Sequence, residues 1–95
     1  MRRDVFQAIA DPTRRKIISL LVRQSLTLNG VASNFKISRP AVSKHIKILA
    51  QCGVVKIRPE GKERYCVANL TRLKAISDWV EQYKIYWIDK LENQE

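Results

Sequence analysis

Cysteine and histidine are scarce in this chain of 95 residues, which carries two of the former and one of the latter. Two cysteines are too few for a disulfide framework. One histidine beside them leaves too few ligands for a metal site. Acids are few as well: 9 Asp and Glu stand against 18 Lys and Arg, a formal net charge of +9. No pair of carboxylates stands beside a base, which removes the usual machinery of acid–base catalysis. Cys52 and His45 on one helix would lie about 10 Å apart along its axis, too far for a nucleophile and its base. No apolar run approaches the roughly 18 residues of a membrane-spanning helix, and Met1-Arg2-Arg3 leads into no sustained apolar stretch. The chain is therefore expected to be no enzyme, to need no cofactor or metal, and to work in the cytoplasm away from membranes. Repeats, low-complexity segments and dividing linkers are also absent.

What is present suits one folded unit. A hydrophobic share of 45% and a charged share of 28% are those of a globular protein. The length supports one modest core, so residues 1–95 read as one domain. The positive charge is uneven. Residues 1–35 hold six basic and two acidic residues, residues 36–64 eight and two, and residues 65–95 four and five. The local sums of +4, +6 and −1 direct a polyanionic partner to the middle of the chain.

That middle contains SRPAVSKHIKILAQCG, from Ser38 to Gly53. Ser38 can cap a helix, Pro40 fits its first turn, and Gly53 suits the left-handed position that ends one. Val42, Ile46 and Leu49 recur at helical spacing as a narrow apolar stripe. Arg39, Ser43, Lys44 and Lys47 point elsewhere and make a cationic, donor-rich face. Such a helix fits a DNA major groove, and it equally fits an ordinary solvated surface.

Around it, Val5, Phe6 and Ile9 form a short apolar helical face. Asp11 and Pro12 start a second helix, which Ile17, Leu20 and Leu21 carry to about Arg23. Its arginines Arg14 and Arg15 sit at the unfavourable end of the helix dipole, where solvation, a phosphate or an acidic neighbour would satisfy them. Thr27 can cap a third helix, with Leu28, Val31, Ala32 and Phe35 on one face. Lys36-Ile37 then connects tightly to Ser38, which is the plan of a helix-turn-helix. After Gly53 the period changes to two. Val55 and Ile57 alternate with Lys56 and Arg58, Pro59 to Lys62 form a turn, and Arg64 to Val67 return as a hairpin. Arg58, Lys62 and Arg64 make it basic, as a phosphate-binding wing or as a solvated hairpin.

Asn69 to about Glu92 reads as the longest helix. Leu70, Leu73, Ile76, Val80, Tyr83, Trp87 and Leu91 form one stripe, and Trp79, Tyr86 and Ile88 widen it beyond the needs of one small domain. An apolar face of that width predicts a partner surface, with packing inside the same chain as the alternative.

The run ADPTRRKIISLL, followed by ISRPAVSKHIKILAQCGVVKIRPEGKERYCV, resembles the ArsR-type winged-helix transcriptional regulators over essentially residues 3–95. The resemblance implies a mainly α fold with a small β-hairpin, a homodimeric winged helix-turn-helix. It also implies a double-stranded DNA partner and, usually, repression from an operator with dyad symmetry. Family members place the equivalents of Ser38, Arg39, Ala41, Ser43, Lys44 and His45 at or near DNA. With Pro40 and Lys47 on the same helix and Arg58, Lys62 and Arg64 on the wing, these make the expected DNA-binding set. Arg39, Ser43 and Lys44 are expected to read bases, and Lys47 and the wing residues to bind phosphate. His45, beside Val42 and Leu49, is expected half-buried and hydrogen-bonded. The first and last helices build the family's dimer interface, which here would use Val5, Phe6, Ile9, Trp79, Tyr83, Tyr86 and Trp87.

The sequence departs from the family's metal sensors. Thiolate sensors carry paired cysteines on the helix before the recognition helix, and Leu28 to Phe35 has none. The other kind carries histidines and carboxylates on the last helix, and residues 70–95 contain no histidine. Two readings from other classes stay open: a redox- or ligand-responsive switch using Cys52 and Cys66, and a winged-helix module for protein interaction. No inducer is named by these residues, so an unidentified effector or protein partner stays open too.

Overall fold

Caps set the helix starts in the computed structural model, which describes residues 3–92. The ends of the 1–95 reading, residues 1–2 and 93–95, lie outside that range. Asp4 accepts hydrogen bonds from the amides of Phe6 and Gln7, while the Gln7 side chain accepts from the Asp4 amide, and this capping box opens α1 (Val5–Ala8). Asp11 caps α2 (Pro12–Leu21) by accepting from the Arg14 amide at 3.1 Å. Thr27 ends the two-residue strand β1 (Leu26–Thr27) and also caps α3 (Leu28–Ala32), its Oγ1 accepting from Gly30 at 3.0 Å. Ser38 opens α4 (Arg39–Gln51), its Oγ accepting from Ala41 at 3.2 Å. The strands β2 (Val55–Glu60) and β3 (Glu63–Ala68) follow, then α5 (Leu70–Glu81) and α6 (Lys84–Glu92).

The sheet has three antiparallel strands in the order β1-β3-β2, one more than the expected hairpin. Leu26 and Ile57 both pair with Cys66, on either side of β3. A strand of two residues shows no periodicity, so β1 left no signal. The wing turn is also shorter than expected. Pro59 and Glu60 belong to β2, paired with Arg64 and Glu63, and only Gly61-Lys62 turn. Pro59 is tolerated because β2 is an edge strand. Gly61 takes φ 63°, as a two-residue hairpin with glycine in its first position requires.

The core lies where α2 and α3 pack on α4 and the sheet closes below them. Ile17, Val31, Val42, Leu49, Cys52 and Val54 are its most deeply buried large side chains. The last segment differs from the single long helix expected. It breaks between Glu81 and Lys84, where the Tyr83 amide bonds Val80 O at 3.0 Å and the Tyr86 amide bonds Tyr83 O at 3.1 Å. These bonds span three residues instead of four and tighten the chain at the break. Among the described residues α4, at 13 residues, is the longest helix, and neither α5 nor α6 contains a fully buried residue.

Candidate nucleic-acid interface

Helix α4 presents the two faces that its spacing requires. Val42, Ile46 and Leu49 are buried, at 0%, 6% and 0% exposure. Ser38, Arg39, Pro40, Ser43, Lys44 and Lys47 are exposed, and Ala41 and His45 are half-buried. Packing of α3 against the inner stripe leaves the cationic face free. On the wing, Lys62 occupies the turn, and Lys62 and Arg64 are exposed. Arg58 is engaged within the wing: it pairs with Glu60 at 3.4 Å and lies over the Tyr65 ring, 5.7 Å from its centroid. Both partners of that ion pair are more than half exposed, so the pair is weak and a phosphate can replace it.

His45 departs in part from expectation. The ring is half-buried as expected, but its Nδ1 is shielded and has no hydrogen-bond partner among the protein atoms. Asp11 is held below the usual carboxylate range chiefly by the Arg14 amide that it caps.

The arginines of the first turn of α2 reach back to the end of α1. Arg14 donates to Gln7 O at 2.8 Å and to Ala8 O at 3.2 Å, and Arg15 donates to Ile9 O at 2.7 Å. They bond the carbonyls at the end of α1, where a cation also suits the helix dipole. Periodicity carries no sign of such a contact.

The far end of α4 is more elaborate than a glycine stop. The Val54 amide bonds Leu49 O and the Gly53 amide bonds Ala50 O, both at 3.0 Å, with Gly53 at φ 79°. This is a Schellman motif, sealed by contact between residues at the positions of Leu49 and Val54, both at 0% exposure. The next carbonyls turn to α5: Arg72 Nε donates to Cys52 O at 3.1 Å, Asn69 Nδ2 to Gly53 O at 2.9 Å, and the Asn69 amide to Val54 O at 2.7 Å. The sequence marked Asn69 only as the start of a helix, yet its side chain makes no capping bond there.

Cys52 and Cys66 are free thiols at 1% and 2% exposure. Burial pushes both thiols above their ordinary range, which keeps them protonated and unreactive. Among the described residues no group of three or more His, Cys, Asp or Glu could hold a metal ion.

Most of the rings on the expected apolar face gather as an exposed cluster. Phe6 packs edge-on against Trp79, with ring centroids 5.5 Å apart, and Trp79 against Tyr83 at 5.2 Å. These rings, Tyr86 and Trp87 remain 40% to 68% exposed. Val5 does not belong with them: at 3% exposure it is spent on the chain's own core, because it faces inward from α1. Ile9 is half-buried and packs against the same core.

Two packed helices with the second exposed and cationic, followed by a basic β-ribbon, define a winged helix-turn-helix DNA-binding domain. Comparison with known proteins agrees. Residues 11–56 match the model of the bacterial regulatory protein family arsR. The transcriptional repressor SdpR of Bacillus subtilis is 40% identical over 77 residues, 81% of this chain and 86% of that protein. The HTH-type transcriptional regulator Rv2034 of Mycobacterium tuberculosis is 36% identical over 82% of this chain and 73% of its own length. Among solved structures, an ArsR-like transcriptional regulator from Rhodococcus superposes with a TM-score of 0.80 at 30% identity, over 93% of this chain and 81% of that one. The homodimeric winged helix-turn-helix DNA-binding domain from Mycobacterium bovis shares the fold at 24% identity, with a TM-score of 0.67 over 85% and 78% of the two chains. The chain belongs to the ArsR family and is a DNA-binding transcriptional regulator, not an enzyme.

Proposed function

We propose that this chain, as one winged-helix domain over residues 1–95, is a homodimeric repressor that binds a double-stranded operator with dyad symmetry. Its signal is not a metal ion, and it acts in the cytoplasm. The observation that carries this reading is α4: its apolar stripe is fully spent on the core, while Arg39, Ser43, Lys44 and Lys47 are all exposed. Arg39, Ser43 and Lys44 read base edges, with an arginine-to-guanine contact as the main specificity element. Ser38, Pro40 and Ala41 at the helix start, and His45 near its middle, lie against the same groove. Lys47, Arg58, Lys62 and Arg64 bind phosphate.

Two copies related by a two-fold axis put their recognition helices in successive major grooves, about 34 Å apart. The exposed aromatic face of Phe6, Trp79, Tyr83, Tyr86 and Trp87 supports a second copy as its occupant, as does the homodimeric relative of the same fold. One histidine and two cysteines in the whole sequence support a signal other than a metal, and the buried, protonated thiols weigh against a redox one.

The test is binding of the purified protein to labelled DNA from its own promoter and to a scrambled duplex across a salt series. A promoter preference of roughly 10³ or more is expected. Equal binding at every salt concentration would reduce the basic face to a non-specific footprint.

A further inference from the structure

Three consecutive carbonyls leave the end of the recognition helix, and all three are held by the first turn of α5. Cys52 O accepts from Arg72 Nε at 3.1 Å, Gly53 O from Asn69 Nδ2 at 2.9 Å, and Val54 O from the Asn69 amide at 2.7 Å. Two of these three bonds come from side chains. Asn69 commits its amide to Gly53 at the expense of capping its own helix, where it makes no side-chain bond. Arg72 lies flat enough against the turn that a Cβ on Gly53 would meet its Nε at 3.4 Å and its Cδ at 3.6 Å. A guanidinium at a helix C-terminus also sits at the favourable end of the dipole. The Schellman turn already satisfies the amides of Gly53 and Val54, so the bonds from α5 are not needed to stop α4. What they add is a tie between the end of α4 and the start of α5.

We infer that Asn69 and Arg72 are positioning residues that set the orientation of the recognition helix relative to the α5 framework, and so the spacing between operator half-sites that the dimer accepts. This rests on the DNA-reading dimer proposed above. The groove distance in a two-fold dimer depends on how rigidly each recognition helix is tied to the helices that pair. A helix tied only through its apolar stripe can rock about that stripe. Two added side-chain hydrogen bonds, one of them from a cation, remove that freedom and cost no base contact.

The experiment measures affinity for a series of promoter duplexes in which the half-sites are moved apart or together by one base pair at a time. The wild-type chain is compared with Asn69→Ala, Arg72→Gln and the double variant, each checked by circular dichroism for an intact fold. In the double variant the ratio between the best spacing and its neighbours falls by about tenfold, the equivalent of one hydrogen bond of ordinary net strength. Affinity for scrambled DNA, its salt slope and the dimer dissociation constant stay as in the wild type. A residue that served stability alone would instead lower the melting temperature and leave spacing discrimination intact. Wild-type discrimination in the folded single and double variants would overturn the inference. Should the wild-type chain itself bind promoter and scrambled duplex alike, the functional reading fails, and the inference falls with it.

Discussion

Phe6 of α1 and Trp79 of α5 meet edge to face, with ring centroids 5.5 Å apart and an interplanar angle of 71°. Each ring stays 40% or more exposed, so one chain assembles an aromatic face without covering it. Central aromatic anchors of interfaces typically contribute about 2 kcal/mol or more. Trp79→Ala is expected to raise the dimer dissociation constant by about 30-fold, measured by sedimentation equilibrium. An unchanged constant would remove this face from the dimer interface.

On the DNA side, Arg39→Ala and Lys62→Ala should separate. Loss of a bidentate base contact costs about 1–3 kcal/mol at one operator position and leaves random duplex nearly untouched. Loss of a phosphate contact weakens every duplex alike and reduces the salt slope by about 0.9. Titrations of both variants on promoter and random DNA check this. Equal losses on both duplexes for Arg39→Ala would refute its role as a base reader.

Arg14 bridges two helices through Gln7 O and Ala8 O, at 2.8 and 3.2 Å in a partly buried setting. Arg14→Ala should destabilise the fold by about 1–3 kcal/mol in urea unfolding, since the carbonyls at the end of α1 lose a charged donor. Arg14→Lys should recover little, because an ammonium lacks the planar fork that reaches both oxygens. Full recovery by lysine would show that charge alone matters there.

Gly53 and Gly61 both hold positive φ, at 79° and 63°. Alanine at Gly61 meets no atom within 4 Å and pays only the left-handed strain, about 1–2 kcal/mol. Alanine at Gly53 pays the same strain, with its Cβ in ordinary contact with Arg72 (Nε at 3.4 Å), but inside the half-buried turn whose two backbone bonds end α4. Gly53→Ala should therefore be the more destabilising in thermal unfolding, and should disturb operator affinity where Gly61→Ala changes mainly the wing. The reverse order would contradict the packing at Gly53.

Cys52 and Cys66 keep their protons to higher pH in the folded chain than in the unfolded one, because burial penalises the thiolate. The unfolded state then binds fewer protons above the ordinary thiol range. Their contribution to stability is complete below about pH 8.5 and declines as pH rises beyond it. Denaturant titrations at stepped pH should show that decline, and the double variant Cys52→Ser, Cys66→Ser should lose this part of it. Thiol reagents should label the native chain slowly at neutral pH. Rapid native labelling would revive the redox-switch reading.

Much of this architecture was legible before any coordinates. Asp11, Thr27 and Ser38 each cap the helix that the sequence assigned to them, because a cap depends on one side chain and an amide three residues on. The stripe of Val42, Ile46 and Leu49 lies inward, and Arg39, Ser43, Lys44 and Lys47 lie outward, as a helical period requires. The break at Gln82-Tyr83 was not legible, since no glycine or proline marks it and the apolar stripe runs on across it.

What the sequence determined by itself was therefore local: helix starts, the two faces of α4, the basic hairpin and the scarcity of metal ligands. Tertiary structure alone decided the rest. It paired Leu26 with Cys66 to add a third strand, turned Val5 inward, and carried Arg14 and Arg15 back to the end of α1. It also aimed Asn69 and Arg72 at carbonyls 16 and 20 residues away. Periodicity and capping act within a turn or two of chain and leave a trace in sequence spacing. A hydrogen bond between distant segments depends on how whole elements are laid against one another, and its residues carry no local mark.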